Sequence, residues 1–395
     1  MTLSVCMIAR NEHANIGRAI KSFAGLADEL VVVDTGSTDD TREIARALGA
    51  RVLDVPWCDD FSASRNAAVA AARGEWVFWL DCDEALLPRS QDHVRAAMCE
   101  QDVVGYSILR QDIFNEQSSA AYTEMWQQRL FRRKAASCFV GRCHPQFAPP
   151  LDTIGTVREA PGILLRHWGY LAPLRLAKLQ RAAKLLELEL KDRPGRFYYV
   201  VELGRTLLLM GDARGRQVMA QAAAMVDRSG ASPPETMAGP LLEYLLRLPE
   251  PELPAGWTAA EVRRLAMGWF PKSVPLLTRL AKEYVSAGDF ARAAELLERI
   301  CALGRCGEYD KTVSFSPDLL GSGPMLNLAI CYARMGELAR AQALLEPIMD
   351  CPANGSLARR NLDVVKGLRE QFGVTVYRPQ ARKCNKKMLW RGHAI

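Results

Sequence analysis

Three carboxylates follow an apolar run in WVFWLDCDEALL, residues 76 to 87. Trp76 to Leu80 has the composition of a buried strand, and Asp81, Asp83 and Glu84 come directly after it. Carboxylates this close repel one another and call for water or a cation. One reading is a solvated turn in which Asp83 or Glu84 opens a helix. The other is a divalent-cation site. Successive residues of an extended strand point to opposite faces, but a turn at Cys82 would bring Asp81 and Asp83 to one ion. Hard oxygen ligands suit Mg2+ or Mn2+, and such an ion would in turn hold a diphosphate. Cys138, Cys143 and His144 have the residue types of a zinc site, without a second ligand pair to complete it.

The first 81 residues supply elements that could position these groups. LSVCMIA (3–9), ELVVVD (29–34), RVLDV (51–55) and EWVFWLD (75–81) read as strands. Between them NIGRAIKSFAG, STDDTREIARALG and FSASRNAAVAAARG have helical spacing and end at Gly25, Gly49 and Gly74, with Ser37 or Thr38 as the cap of the second. This alternation predicts a parallel sheet covered on both faces, whose ligands bind beyond the carboxyl ends of the strands. Asn11 and Glu12, Asp34, and Asp81 with Asp83 all fall there. VVGYSILRQDIF, EMWQQRLFRR and ILLRHWGY read as further strands within residues 101–170. From Leu171 helices dominate. LAKEYVSAGDFARAAELLERI (280–300) and LAICYARMGELARAQALLEPI (328–348) are similar, and LGRTLLLMGDARGRQVMAQAA (203–223) is a fainter third copy. Each predicts a helix, a Gly-Asp or Gly-Glu turn and a second helix. The pattern resembles tetratricopeptide repeats without their regular period of about 34 residues. The expected division is 1–170, 171–377 and a basic tail, 378–395.

Composition narrows the classes. Apolar content of 49% and charged content of 24% over 395 residues fit a globular protein with more than one core. No apolar stretch reaches the roughly 18 residues of a membrane span. MTLSVCMIAR has no basic residue before its short apolar run, so no secretory signal is expected. Eleven cysteines scattered singly predict a reducing, cytoplasmic setting. The net charge of +6 is matched by Arg378, Arg382, Lys383, Lys386, Lys387 and Arg391, in a tail with no acid. The body is therefore near neutral, which excludes a globally basic nucleic-acid binder. The tail is expected to be solvated, with an anionic membrane surface or a partner as the alternative contact and Leu389 and Trp390 as anchors.

SVCMIARNE, VVVDTGSTDDT, DDFSASRNAAVAAARGEWVFWLDCDE and RLFRR followed by GRCHPQF occur in that order. Over residues 4–170 this set resembles the inverting family-2 glycosyltransferases of GT-A fold. The nearest likeness is to a bacterial branch in which that domain is fused to tetratricopeptide repeats. Lipopolysaccharide-core glycosyltransferases and enzymes that glycosylate cysteine in bacteriocin peptides belong to it. The resemblance implies an α/β fold, a Rossmann-like GT-A nucleotide-diphospho-sugar transferase domain followed by an all-α tetratricopeptide-like domain. It also implies a nucleotide-sugar donor, most often UDP-linked, a divalent metal (Mn2+ or Mg2+), and a glycan, peptide or protein acceptor. The repeats would bind the acceptor, organise a homodimer or give structural support.

By that resemblance Ala9, Arg10 and Glu12 line the nucleotide pocket, and Asp34 accepts a hydrogen bond from the uracil edge. Arg65 lies near the base or phosphates, with a plain surface charge as the alternative. Asp81 contacts the ribose or metal and Asp83 ligates the metal. His167, in HWGY, completes the metal site or touches a phosphate, unless it is a core or hinge histidine. The branch usually reads Gly-x-x-His-Glu where this chain has Pro145 after His144. If the missing acid was the general base, Asp112 or Glu124 must serve, or the acceptor must ionise easily, as a thiol does. Two rivals remain. A sugar nucleotidyltransferase should show a Gly-rich phosphate loop that MIARNEHAN lacks, and a catalytically silent scaffold would act through its repeats alone.

Overall fold

The computed structural model describes residues 1–115, 122–134, 138–169 and 175–372. They form two compact units, Met1–Met225 with Lys311–Ser314, and Val226–Asp310 with the residues from Phe315 on. The basic run beginning at Arg378 lies outside the described residues.

The first unit opens with β1 (Leu3–Ala9), α1 (Ile16–Lys21), β2 (Glu29–Asp34), α2 (Thr41–Ala47), β3 (Arg51–Asp54), α3 (Phe61–Ala71) and β4 (Trp76–Trp79). It continues with β5 (Glu84–Leu86), α4 (Gln91–Met98), β6 (Val103–Ile113), β7 (Tyr122–Arg132), β8 (Cys138–Val140), β9 (Gln146–Ala148) and β10 (Thr156–His167). Eight strands form one sheet in the order β3-β2-β1-β4-β7-β6-β10-β5, and β8 and β9 make a separate hairpin. β1 to β4 are mutually parallel, as their spacing predicts. The near-continuous apolar strands have two faces to fill. Leu3, Val5, Met7 and Ala9 pack with α1 and α4, while Cys6, Val31, Val33 and Trp79 pack with Ala68 and Ala72. The predicted cap of α2 is displaced. Asp40 precedes the helix without a side-chain cap, and Ser37 instead donates its hydroxyl to Asp34.

Three helices complete this unit: α5 (Arg175–Asp192), α6 (Phe197–Leu209) and α7 (Arg214–Ala224). The compact body thus runs well past residue 170. The second unit holds α8 (Ala238–Leu245), α9 (Ala259–Trp269), α10 (Val274–Ser286), α11 (Phe290–Cys306), α12 (Ser322–Met335), α13 (Leu338–Leu345) and α14 (Gly355–Phe372). All three similar segments become helix pairs joined at a left-handed glycine: Gly211, Gly288 and Gly336. In each the following acid donates its backbone N–H to the carbonyl five residues back, Asp212 to Leu207, Asp289 to Tyr284 and Glu337 to Tyr332. This Schellman closure satisfies end carbonyls that a non-glycine residue could expose only under strain. Among the described residues no helix is long and apolar enough to cross a membrane.

Close crossing of α6 and α7 rests on small residues. A Cβ on Gly215 would stand 2.8 Å from the Leu208 backbone nitrogen. Alanine in a helix ordinarily stabilises by about 1 kcal/mol over glycine. Here the backbone contact should outweigh that, since overpacking costs about 1–3 kcal/mol. Gly215→Ala is expected to lower the melting temperature by circular dichroism. A variant more stable than the parent would refute the close crossing.

Candidate active site

The apolar run of β4 is buried throughout, and Leu80 extends its ladder by donating to the Cys6 carbonyl. The chain then turns. The Glu84 N–H donates to the Asp81 carbonyl at 3.0 Å, so Cys82 and Asp83 occupy the centre of a four-residue turn. Cys82 is buried, and its thiol points at the Ile8 carbonyl of β1 (3.2 Å), which pins the turn to the sheet. Glu84 then begins β5 rather than a helix. It lies opposite His167 in the antiparallel pair with β10, and the Trp168 N–H donates to the Asp83 carbonyl.

Each acid at this turn has its own cations. Arg129 of β7 donates to Asp81 Oδ2 (2.9 Å) and to Glu84 Oε1 (2.7 Å). Arg65 of α3 approaches Asp81 Oδ1 at 3.6 Å, with its guanidinium over the Trp79 ring. Arg110 of β6 lies 3.6 Å from Glu84 and donates to Asp112 Oδ2 (3.1 Å). Asp83 is held on both oxygens, by the Lys178 ammonium of α5 at 2.8 Å and by His167 Nε2 at 3.5 Å. The other imidazole nitrogen, Nδ1, is 2.7 Å from Asp112.

The titrations follow from these contacts. Burial works against the charged form of Asp81, yet Arg129 and Arg65 hold it well below the usual carboxylate range. Asp83 is likewise held far down, against burial, by His167 and Lys178. Asp112 is lowered, again against burial, by His167 and Arg110. Glu84, fully enclosed, is pushed up by burial, with Arg129 opposing. Burial disfavours the His167 imidazolium, but its hydrogen bonds to Asp112 and Asp83 raise it to about 9. At neutral pH the ligand-free site therefore carries His167 as a cation between two carboxylates.

A second group lies at the ends of β1 and β2. The Ala9 carbonyl accepts from Thr35 (2.9 Å), Arg10 is exposed, and Asn11 adopts a left-handed conformation that lets its side chain accept the Thr38 N–H (2.8 Å). The Glu12 N–H donates to Thr41 Oγ1 (2.7 Å). Asp34 is buried and accepts the Gly36 and Ser37 N–H groups on Oδ1, so most of its capacity is spent shaping its own loop. Glu12 connects the two groups. Burial raises its carboxyl, the Asp83 charge adds to that, and Lys178 and Arg181 oppose it.

The structure thus gathers Asp81, Asp83, Arg65, Asp112 and His167 into one network, with Glu12 beside it and Ala9, Arg10 and Asp34 on the adjoining rim. Glu124 is not brought in. It pairs across the strands with Gln111, to which its carboxylate is hydrogen-bonded (3.1 Å), and so lies on the opposite sheet face from Arg110 and Asp112. His144 sits in a left-handed conformation with Nε2 3.6 Å from Glu202 of α6. The zinc reading has no support, since Cys143 is buried among α5 and α6 residues while Cys138 is exposed. Lys178 was missed because its segment reads as part of the helical region. Arg110 and Arg129 were missed because they sit inside strands, although a charged residue in a buried strand is itself a signal of a paired site.

The donor set suits a hard cation bound jointly with a ligand. Among the described residues no three His, Cys, Asp or Glu side chains converge on one point. Asp83 Oδ1 and His167 Nε2 face each other at 3.5 Å, while the other ring nitrogen is engaged by Asp112. Two protein donors with phosphate oxygens and water completing the shell is the usual arrangement for Mg2+.

Residues 4–145 match the family model Glycosyl transferase family 2. A TPR repeat-containing protein of Synechococcus elongatus is 33% identical over 224 residues, 54% of this chain and 54% of its own length. An uncharacterized glycosyltransferase of Rickettsia typhi is 40% identical over 92 residues, 23% of this chain and 31% of its own. The chain thus spans about half the length of the first and under a third of the second. Among solved structures, glucosyl-3-phosphoglycerate synthase from Mycobacterium tuberculosis, in complex with Mn2+, uridine diphosphate and glucosyl-3-phosphoglycerate, is 19% identical with a TM-score of 0.31. That match covers 47% of this chain and 78% of the synthase.

Proposed function

Since the chain carries a glycosyl transferase family 2 domain followed by helical repeats, we propose that it moves a sugar from a UDP-linked donor to a glycan, peptide or protein acceptor with inversion at the anomeric carbon. The observation that carries this reading is the partly buried acidic turn Asp81–Glu84 at the carboxyl end of a parallel strand, matched by Arg129, Arg65, Arg110 and Lys178 from four other elements. Ligands of such sheets bind at that edge. Asp83 and His167 would hold the divalent metal, which when bound supplies positive charge to a departing diphosphate. Arg65, fixed between Asp81 and the Trp79 ring, is positioned for the donor, with Ala9, Arg10, Glu12 and Asp34 along the nucleotide rim. The scattered cysteines favour action in the cytoplasm.

An inverting transfer needs a base to take the proton of the attacking hydroxyl or thiol. Asp112 is a poor candidate, because His167 and Arg110 stabilise its charged form. Glu124 faces the other side of the sheet. Glu202 stands beside His144, next to where Pro145 replaces the acid of the sequence pattern, with Oε1 paired to Arg205 (2.8 Å) and Oε2 facing His144, and it is the carboxylate we assign to the role. Glu202→Gln should lower kcat by about a hundredfold or more, the usual contribution of general-base catalysis, and leave the KM for donor little changed. An unchanged kcat would remove Glu202 from the mechanism.

Nucleotide release measured across UDP-, GDP- and dTDP-sugars, with and without Mn2+, tests the function as a whole. Metal-dependent release from a UDP-sugar is expected. A protein inert toward every donor, with a broad acceptor mixture present, would favour a silent scaffold.

A further inference from the structure

Both carboxylate oxygens of Asp83 are taken. Lys178 Nζ donates to Oδ2 at 2.8 Å and also to the Gly169 carbonyl at 3.2 Å, while His167 Nε2 stands 3.5 Å from Oδ1. A divalent ion on Asp83 is disfavoured while an ammonium holds Oδ2, because the two cations repel and share the charge of one carboxylate. Lys178 is a flexible side chain with about a third of its surface open, so it can swing away. Its charge, and that of Arg181 one turn along α5, are felt at Glu12 on the neighbouring rim, so both cations lie near that carboxylate. Arg181 lies over the Phe61 ring and makes no ion pair among the described contacts. The surrounding charges largely balance: Glu12, Asp81, Asp83, Glu84 and Asp112 face Arg65, Arg110, Arg129 and Lys178. Such a site gains little from a lone metal ion and more from a metal with its diphosphate, whose charges also nearly cancel.

We infer that Lys178 is a resident counter-cation for Asp83 which, when metal and nucleoside diphosphate arrive together, moves onto the diphosphate oxygens and holds the leaving group with Arg181. No bond is made or broken in this exchange. For Lys178 one charge-assisted hydrogen bond replaces another, which would leave Asp83 free to serve as a metal ligand. Metal and diphosphate are thereby coupled, each favouring the other's binding by the same factor. The inference rests on the donor reading above and adds to it the groups that grip the diphosphate.

Calorimetry on the full chain distinguishes the alternatives, with Mn2+ alone, uridine, and UDP with Mn2+ as probes. Lys178→Met should bind Mn2+ alone about tenfold more tightly, because the competing ammonium is gone, and UDP with Mn2+ about tenfold to a hundredfold more weakly, the range for losing a hydrogen bond to a charged group. Uridine, lacking phosphate, should bind unchanged, and Lys178→Arg should keep most of the UDP affinity. General damage to the fold cannot move Mn2+ and UDP affinities in opposite directions. If the methionine variant binds UDP as well as the parent, or loses Mn2+ affinity along with UDP, the exchange is wrong while the donor reading stands. If the parent protein itself binds no nucleotide with Mn2+ present, the donor reading and this inference fall together.

Discussion

Asp83→Asn should abolish Mn2+-dependent UDP binding, with an affinity loss beyond a hundredfold. The substitution keeps the shape of the side chain and the central position in the turn, and it removes the one negative charge that faces both His167 and Lys178. Groups that merely orient a metal ligand are typically worth about 10- to 100-fold in affinity, and loss of the ligand itself should exceed that. The melting temperature should fall by only a few degrees, since Lys178 reaches solvent and can rehydrate its ammonium. A pH dependence accompanies the effect. His167 must lose its proton to coordinate a metal, and in the ligand-free site it titrates at about 9. Mn2+-dependent UDP affinity in the parent should therefore rise from pH 6 toward pH 9. Stability moves the other way. A histidine raised above its ordinary 6.5 contributes fully below that value, and its contribution is lost as pH rises through about 9. In Asp83→Asn one of the two raising carboxylates is gone while Asp112 remains, so the loss of stability should begin at somewhat lower pH. Calorimetry and thermal melts across that range read both trends, and undiminished metal-dependent binding by the variant would remove Asp83 from the metal site.

The strands were legible because alternation and burial are local properties. LSVCMIA and ELVVVD become β1 and β2 residue for residue, and the acids at their ends sit on the predicted edge. The acidic turn was legible for the same reason, since three carboxylates after a buried run have few physical explanations. The partners of those carboxylates were not legible. Arg129 meets Asp81 across 48 positions and Lys178 meets Asp83 across 95, and no periodicity reports which distant side chains converge. The repeat pattern misdirected as well. Residues 203–223 are a helix pair like the later copies, yet α5 to α7 pack in the unit of the sheet, and α5 brings Lys178 to Asp83. Glu124 shows the opposite limit: a chemically suitable residue in the right strand, placed on the other face by the two-residue alternation.

Arg129→Met should be the most destabilising single change in the first unit that leaves its apolar core intact. Arg129 is 4% exposed and joins Asp81 to Glu84, which has no exposed surface. Methionine fills much of the volume but leaves two buried carboxylates short of their shared cation, with Arg110 remaining 3.6 Å from Glu84 and Arg65 3.6 Å from Asp81. Removing one partner from a buried ion pair costs about 3–5 kcal/mol, a shift on the order of 10 °C for a body of this size. The penalty should itself depend on pH. Glu84 is already raised by burial, and Arg129 is the leading charge that opposes the rise. Without it the folded-state value climbs further, so the variant is least impaired at low pH, where Glu84 is protonated in both states, and loses stability as pH rises through the new value. Arg65, 3.6 Å from Asp81, continues to favour the ionised form of that carboxylate. Adding Glu84→Gln removes the stranded charge, so the double variant should recover much of the loss at pH 8 and little at pH 5. Paired melts of the parent, both single variants and the double variant would show this as a coupling that grows with pH. A penalty for Arg129→Met that is equal at pH 5 and pH 8, or no recovery in the double variant, would mean that Arg129 acts through packing rather than through the buried charge of Glu84.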